Sequence, residues 1–220
     1  MMGNEVDLLI NYPKAKRDLS ARSKEKTSDD RAIARKFGKE FFDGERRHGY
    51  GGFNYHPRFW KPVIPSFRQH WNLCAGNSVL DVGCAKGFML HDLKEEIPGL
   101  EVAGVDVSEY AILNAMETVK NNLKVADAKD LPFSDNSFDV VISINTIHNL
   151  EITECAKALR EIERVSKGNS FITVDAFRTD LEKSRMFDWN LTAKTILSVD
   201  EWEKLFAEVG YTGDYFWFIP

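Results

Sequence analysis

From residue 78 onward the apolar positions come in short runs separated by amphipathic stretches. Residues 79–82 are apolar around one aspartate and are followed by a helical period over 87–96; 102–105 are followed by 108–120. The pattern continues with a run at 124–126, another at 138–144 before a helical stretch at 153–166, a run at 171–174, and a helix at 199–208 before 215–219. Runs this short, bounded by helix-period segments, predict strands alternating with helices, and that order specifies a parallel sheet covered on both faces. The expected fold is therefore α/β, a doubly wound and mostly parallel sheet.

Upstream the pattern is different. Residues 1–30 are polar, charge-rich and weakly periodic, which predicts loop. Over 28–43, Ile33, Phe37 and Phe41 recur every four residues behind Ser28, Asp29 and Asp30, so a capped helix is expected there, ended by Gly44. The stretch 48–57 mixes Gly49, Gly51 and Gly52 with Tyr50, Phe53 and Tyr55 and is expected to be a loop. Residues 57–71 read as a helix broken by Pro62 and Pro65, with Phe67 and Trp71 as its seam. The division is an N-terminal extension over 1–72 and a core domain over 73–220.

Length and charge narrow the picture. At 220 residues with 43% hydrophobic content, one substantial core is available, but not two domains and a linker. Cys74, Cys84 and Cys155 are odd in number and lack C-x-x-C spacing, which fits a reducing, cytoplasmic setting without structural zinc. No apolar run approaches a membrane span. The net charge of −5 is unevenly placed: residues 1–62 hold 14 Lys/Arg against 9 Asp/Glu, and residues 63–220 hold 15 against 25. An acidic body argues against nucleic acid as partner, whereas the basic arm with Arg46, Arg47, His48, Arg58 and Lys61 could meet an anionic substrate.

In an open parallel sheet, ligands sit beyond the carboxyl ends of the strands. The first strand ends in Asp81-Val82-Gly83-Cys84-Ala85-Lys86-Gly87, a D-x-G-x-x-x-G turn into a helix. Its glycines admit a ligand close to the backbone. The second strand ends at Asp106, whose carboxylate can accept from two ribose hydroxyls. The third leads to Asp127, which can accept from an adenine amino group. Three acids at successive strand ends suit a cofactor with an amino group, a sulfonium and hydroxyls, and they would repel a pyrophosphate.

The segments Val-Leu-Asp-Val-Gly-Cys-Ala-Lys-Gly, Gly-Val-Asp-Val-Ser, Ala-Asp-Ala, Leu-Pro-Phe and Ser-Phe-Asp-Val-Val, spread over residues 77–211, resemble the successive motifs of the class I S-adenosylmethionine-dependent methyltransferases. The resemblance implies that fold. It also implies S-adenosylmethionine as cofactor, with S-adenosylhomocysteine as product, and a cofactor set of Asp81, Gly83, Cys84, Ala85, Gly87, Asp106, Val107, Asp127, Ala128 and Asn145. Asp139 is expected to be structural. His148, after the fourth strand, lies where this family reaches the transferred methyl, and its ordinary pKa of ~6.5 would suit a general base. In-line transfer from an activated sulfonium does not require one.

The resemblance implies methyl transfer to an O or N atom of a small metabolite, anionic or sugar-like. Tyr50, Tyr55, His56 and Arg58 are candidate substrate contacts. Phe53, Phe59 and Trp60 complete the loop's aromatics, and Trp189 with 191–197 forms a further candidate contact region. No Asn-Pro-Pro-Tyr-type element or Pro-Cys nucleophile follows the fourth strand, which lowers nucleobase substrates further. No metal-ligand cluster is seen. Two alternatives remain: a nicotinamide-dependent oxidoreductase, disfavoured because Asp81 stands where a dinucleotide fingerprint wants its first glycine, and a relative that binds the cofactor without turnover. One departure from the family pattern is that only 215–219 is available after the last helix, so its final antiparallel strand is missing or comes from elsewhere. The open edge this would leave suggests a homodimer.

Overall fold

The computed structural model describes residues 3–13, 26–51 and 54–220. Residues 14–25 of the polar stretch, and Gly52 and Phe53 of the expected loop, lie outside the described residues. The core is a seven-stranded sheet in the order β3-β2-β1-β4-β5-β6, with β7 on β5. Its strands are β1 (Ser78–Val82), β2 (Glu101–Asp106), β3 (Leu123–Val125), β4 (Val140–Ile144), β5 (Ser170–Phe177), β6 (Leu197–Ser198) and β7 (Asp214–Phe218). Every pairing among them is parallel. β7 runs along residues 171–175 of β5, and the two-residue β6 continues the same edge at Ala176 and Phe177.

No antiparallel strand occurs among the described residues, and the outer edge of β7 is met at Tyr215. Glu5 forms a bridge to Tyr215, Tyr215 N–H donates to Asn4 O, and Val6 N–H donates to Tyr215 O. The start of the edge on which a homodimer was expected is thus met by the chain's own N-terminal segment.

Helices pack on both faces. α6 (Ile152–Val165) buries Cys155, Ala158, Leu159, Ile162 and Val165, a stripe at helical spacing, against the sheet face that also takes α8 (Val199–Val209) with Trp202 and Phe206. Full burial of side chains such as Leu159 and Ile162 stabilises by about 1.5–3 kcal/mol each. The other face packs on α3 (Ile64–Trp71) and α4 (Phe88–Glu96) through Ile64, Phe67, Leu90 and Leu93.

Four expectations need correction. The helix expected over 28–43 is two short ones, α1 (Ser28–Ala34) and α2 (Lys39–Asp43), because Phe37 takes a left-handed φ of 48° between them. The cap of α1 is Thr27, which exchanges hydrogen bonds with Asp30, rather than the residues from Ser28 on. Pro65 sits in the first turn of α3, where a missing N–H costs nothing, so it starts that helix instead of breaking it. The helix expected over 108–120 is confined to α5 (Glu109–Leu113). α7 (Asp180–Trp189) was not expected: it buries little beyond Met186 and Trp189 and so shows almost no apolar period.

Candidate functional site

The strand order reverses between β1 and β4, and the crevice at such a switch point opens at the carboxyl ends of the strands. Asp81 lies opposite Gly104 in the β1–β2 pair, and Asp106 lies opposite Val125 in the β2–β3 pair. This register brings Asp81, Asp106 and Asp127 to one rim.

The turn after β1 is tight for a physical reason. Gly83 N–H and Cys84 N–H both donate to Val105 O, which folds the chain back over β2. Gly83 has φ +89°, and a Cβ there would lie 2.1 Å from Thr146 Oγ1, so both the backbone and the space demand glycine. Asp106 clamps the far side of the turn: its Oδ2 accepts from Ala85 N–H and its Oδ1 from Ser108 N–H, each at 2.8 Å.

Burial pushes the Asp106 carboxyl up, with these two amides offsetting part of the effect. Asp81, only 5% exposed, is pushed up to about 8 by burial and then by the neighbouring Asp106 charge. Burial also holds the Cys84 thiol well above its ordinary range. Asp127 is wetter. Its Oδ1 accepts from Lys129 N–H, and Lys129 Nζ stands 3.3 Å from its Oδ2.

The N-terminal extension is fastened to this rim. Lys86, inside the glycine turn and nearly buried, donates to both oxygens of Asp43 at the end of α2, at 2.6 and 2.8 Å, and Tyr110 OH donates to the same carboxylate at 2.7 Å. Burial alone would raise the Asp43 carboxyl, but Lys86 and Tyr110 more than offset it, and it lies below its ordinary value. Ser108 Oγ donates to Phe37 O.

After β4, Asn145 N–H donates to Thr173 Oγ1 and the chain makes a short turn over Ile147–Asn149. His148 is 4% exposed, and burial pushes its pKa down to about 3. Its Nδ1 accepts from Asp175 N–H at 2.9 Å, so the neutral ring carries its proton on Nε2. Its carbonyl accepts from Lys194 and Thr195 N–H, which anchors the segment after α7. That segment is also held by Tyr50, whose OH accepts from Leu191 N–H at 2.9 Å and whose ring stacks on Trp189.

These elements enclose a cleft of about 1440 Å³. Asp81, Gly83, Cys84, Ala85, Asp106, Val107, Asp127, Ala128 and Asn145 all line it, as do His148, Tyr50 and Arg58. Gly87 does not: it is the left-handed cap of α4, and its Cα faces Val119 and Leu123. Tyr55 and His56 are not on the wall either. Tyr55 OH donates to buried Asp92 at 2.8 Å, and His56 Nδ1 accepts from Arg58 N–H. Trp189 and Thr192 line the cleft, and so do Leu9, Tyr12, Lys86 and Asp175, which sequence reasoning missed. Asp139 lies away from it, accepting from Ser78 N–H and Oγ and pairing with Lys167. Among the described residues no group of three or more His, Cys, Asp or Glu side chains could hold a metal ion, and no helix is long and apolar enough to cross a membrane.

The cleft's chemistry fits S-adenosylmethionine. Asp81 is buried and Asp106 half-buried beside it, no cationic side chain among the described residues lies in their hydrogen-bond sets, and burial with the Asp106 charge holds a proton on Asp81; a ligand carrying an amino group and a sulfonium would let both carboxylates ionise. Val107, 58% exposed and apolar, offers the kind of surface on which a purine can lie.

The comparisons with known proteins agree. An "Arginine-hydroxylase NDUFAF5, mitochondrial" of Mus musculus is 34% identical over 89 residues, covering 40% of this chain and 25% of that protein. A demethylmenaquinone methyltransferase of Symbiobacterium thermophilum is 32% identical over 152 residues, covering 65% and 59%. The chain thus spans less than two thirds of the length of these curated relatives. Among solved structures, the YcgJ protein of Bacillus subtilis superposes with a TM-score of 0.55 at 21% identity over 66% of each chain, a likeness of fold. A family model described as "Methyltransferase domain" matches residues 74–210, more than half of the chain, and the protein belongs to the class I S-adenosylmethionine-dependent methyltransferases.

Proposed function

We propose that this protein transfers a methyl group from S-adenosylmethionine to an oxygen or nitrogen atom of a small organic molecule. The observation that carries the reading is the rim of Asp81, Asp106 and Asp127 opening into the same cleft as His148, Tyr50 and Asp175. Asp106 would hold the ribose hydroxyls, Asp127 with Ala128 the adenine, and Asp81 with the Gly83 turn the methionine end. When bound, the cofactor supplies an electrophilic methyl. The cleft residues would hold the acceptor's lone pair in line with that methyl and its leaving sulfur, and the acceptor's proton would leave to water.

His148 serves best as a neutral donor. To act as a base through Nε2 it would first have to shed the proton that its bond from Asp175 N–H places there. As an Nε2–H donor it can orient an acceptor oxygen, and orientation is the larger part of what an in-line transfer needs. Relatives named as methyltransferases of demethylmenaquinone, of 27-O-demethylrifamycin SV and as the O-methyltransferase resE support a small-molecule acceptor. A second reading, other chemistry on the same fold, is favoured by the relative named an arginine-hydroxylase.

Calorimetric titration with S-adenosylmethionine and S-adenosylhomocysteine tests the cofactor. Mass spectrometry of acceptors incubated with S-adenosylmethionine then separates the readings: gain of a methyl mass supports transfer, and gain of an oxygen mass overturns it.

A further inference from the structure

The cleft is larger than one ligand requires. Its volume of about 1440 Å³ exceeds the roughly 300–1,000 Å³ usual for a small-molecule site, and the strand-end acids account for one wall. A second wall is aromatic. The Tyr12 ring stacks on Phe59 with centroids 5.7 Å apart and meets Trp60 edge-on at 5.0 Å, and all three line the cleft. On this cluster lies a cation: the Arg58 guanidinium is 4.7 Å from the Phe59 ring centroid.

Among the other cations along the cleft, Arg46 donates to Gly49 O and Lys26 Nζ lies over the Tyr50 ring, and three are paired with carboxylates. Arg178 pairs with Glu5, Arg47 with Asp30 and Glu45, and Lys86 with Asp43. Arg58 forms no ion pair among the described residues. In a chain of net charge −5, with three acids on the cofactor rim, an anion would be repelled from the cleft unless a cation stood where it lands.

We infer that the acceptor is a planar aromatic carboxylate, its ring packed on the Tyr12–Phe59–Trp60 cluster and its carboxylate held by Arg58. The guanidinium fork matches a carboxylate in two parallel hydrogen bonds, and aromatic faces favour a flat ring over an aliphatic one of the same size. The inference rests on the methyltransferase reading and names the substrate class for that same cleft.

The test is calorimetric titration of the full chain, saturated with S-adenosylhomocysteine, with three probes: 6-hydroxy-2-naphthoate, 2-naphthol and cyclohexanecarboxylate. The first should bind at least about tenfold more tightly than either of the others, the gain of one charge-assisted pair. Arg58→Gln should abolish the advantage of the naphthoate over 2-naphthol and leave 2-naphthol unchanged. Tyr12→Leu, which keeps apolar bulk, should weaken both aromatic probes several-fold. Retained S-adenosylhomocysteine binding shows that each variant is folded. Equal binding of naphthoate and naphthol, indifference to Arg58→Gln, or no saturable probe binding beside intact S-adenosylhomocysteine binding overturns the inference alone. Failure of folded wild-type protein to bind S-adenosylhomocysteine overturns the methyltransferase reading and the inference with it.

Discussion

The two walls of the cleft are built by opposite means. The cofactor rim is made where three parallel strands end side by side, and its acids are fixed by the register of the sheet and by backbone amides donating to Asp106. The aromatic wall and the cap come from residues before β1, in short helices and turns held by side chains: Asp43 on Lys86, Tyr50 on Leu191 and Tyr55 on Asp92. A rim set by the backbone keeps its geometry through changes of surface side chains. A wall set by a few polar contacts can be altered one contact at a time, so the acceptor end can vary while the cofactor end is kept.

Substitutions sharpen this contrast. Asp106→Ala removes the carboxylate that joins both sides of the rim and would meet the ribose, so S-adenosylhomocysteine affinity should fall by about 100-fold, the loss of charged hydrogen bonds worth roughly 1.5–3 kcal/mol each. Titration calorimetry checks it, and unchanged affinity would detach the ribose from this residue. Gly83→Ala forces a Cβ onto Thr146 at a positive φ and should cost about 2–3 kcal/mol of stability. Urea denaturation reads this directly.

On the cap side, Asp43→Asn leaves the nearly buried Lys86 ammonium without its carboxylate. A stability loss of about 1–3 kcal/mol is expected, together with weaker cofactor binding because the glycine turn loses its tie to α2. A variant as stable as wild type would show the tie to be superficial.

Acidity gives a graded effect. In the free protein Asp81 holds its proton up to about pH 8, and a cationic ligand lowers that pKa, so binding releases a proton and affinity rises with pH before levelling above about 8. The rise is at most tenfold per pH unit. Calorimetry in buffers of different ionisation enthalpy counts the proton, and Asp81→Asn should abolish its release. The same raised pKa makes the folded free protein bind a proton that the unfolded chain has lost. Its stabilising contribution is therefore complete below about pH 4 and is lost as pH rises to about 8. The smallest change is Tyr55→Phe. It removes one hydrogen bond to Asp92, about 1 kcal/mol, and because Tyr55 stands off the cleft, cofactor affinity should not move.

How much of this was legible depends on how each part is encoded. The β-α order and the rim acids follow from local pattern: an apolar run ending in an acid and a glycine turn puts Asp81 and Asp106 where they are found. Gly87 shares that motif yet turns away from the cleft, because its task is the left-handed start of α4. Tyr12 and Lys86 were missed because their roles depend on partners 47 and 43 positions away, Phe59 and Asp43, and no window of periodicity contains both. Tyr55 and His56 were placed at the cleft on composition, which records that a loop is aromatic and not which way each ring faces. The helix expected over 108–120 failed because apolar residues there pack in turns below the glycine loop, with Val119 buried against Gly87 rather than along one helical stripe.

The bridge between Glu5 and Tyr215 carries a consequence for how the molecule is made. It closes contacts across 210 positions, so the backbone hydrogen bonds that tie residues 4–6 to β7 form only once that strand is available, whereas the Glu5 carboxylate also pairs with Arg178 ahead of it. Contacts of such long range carry a large loop-closure cost and slow folding, so this closure follows the local contacts of the sheet instead of leading them.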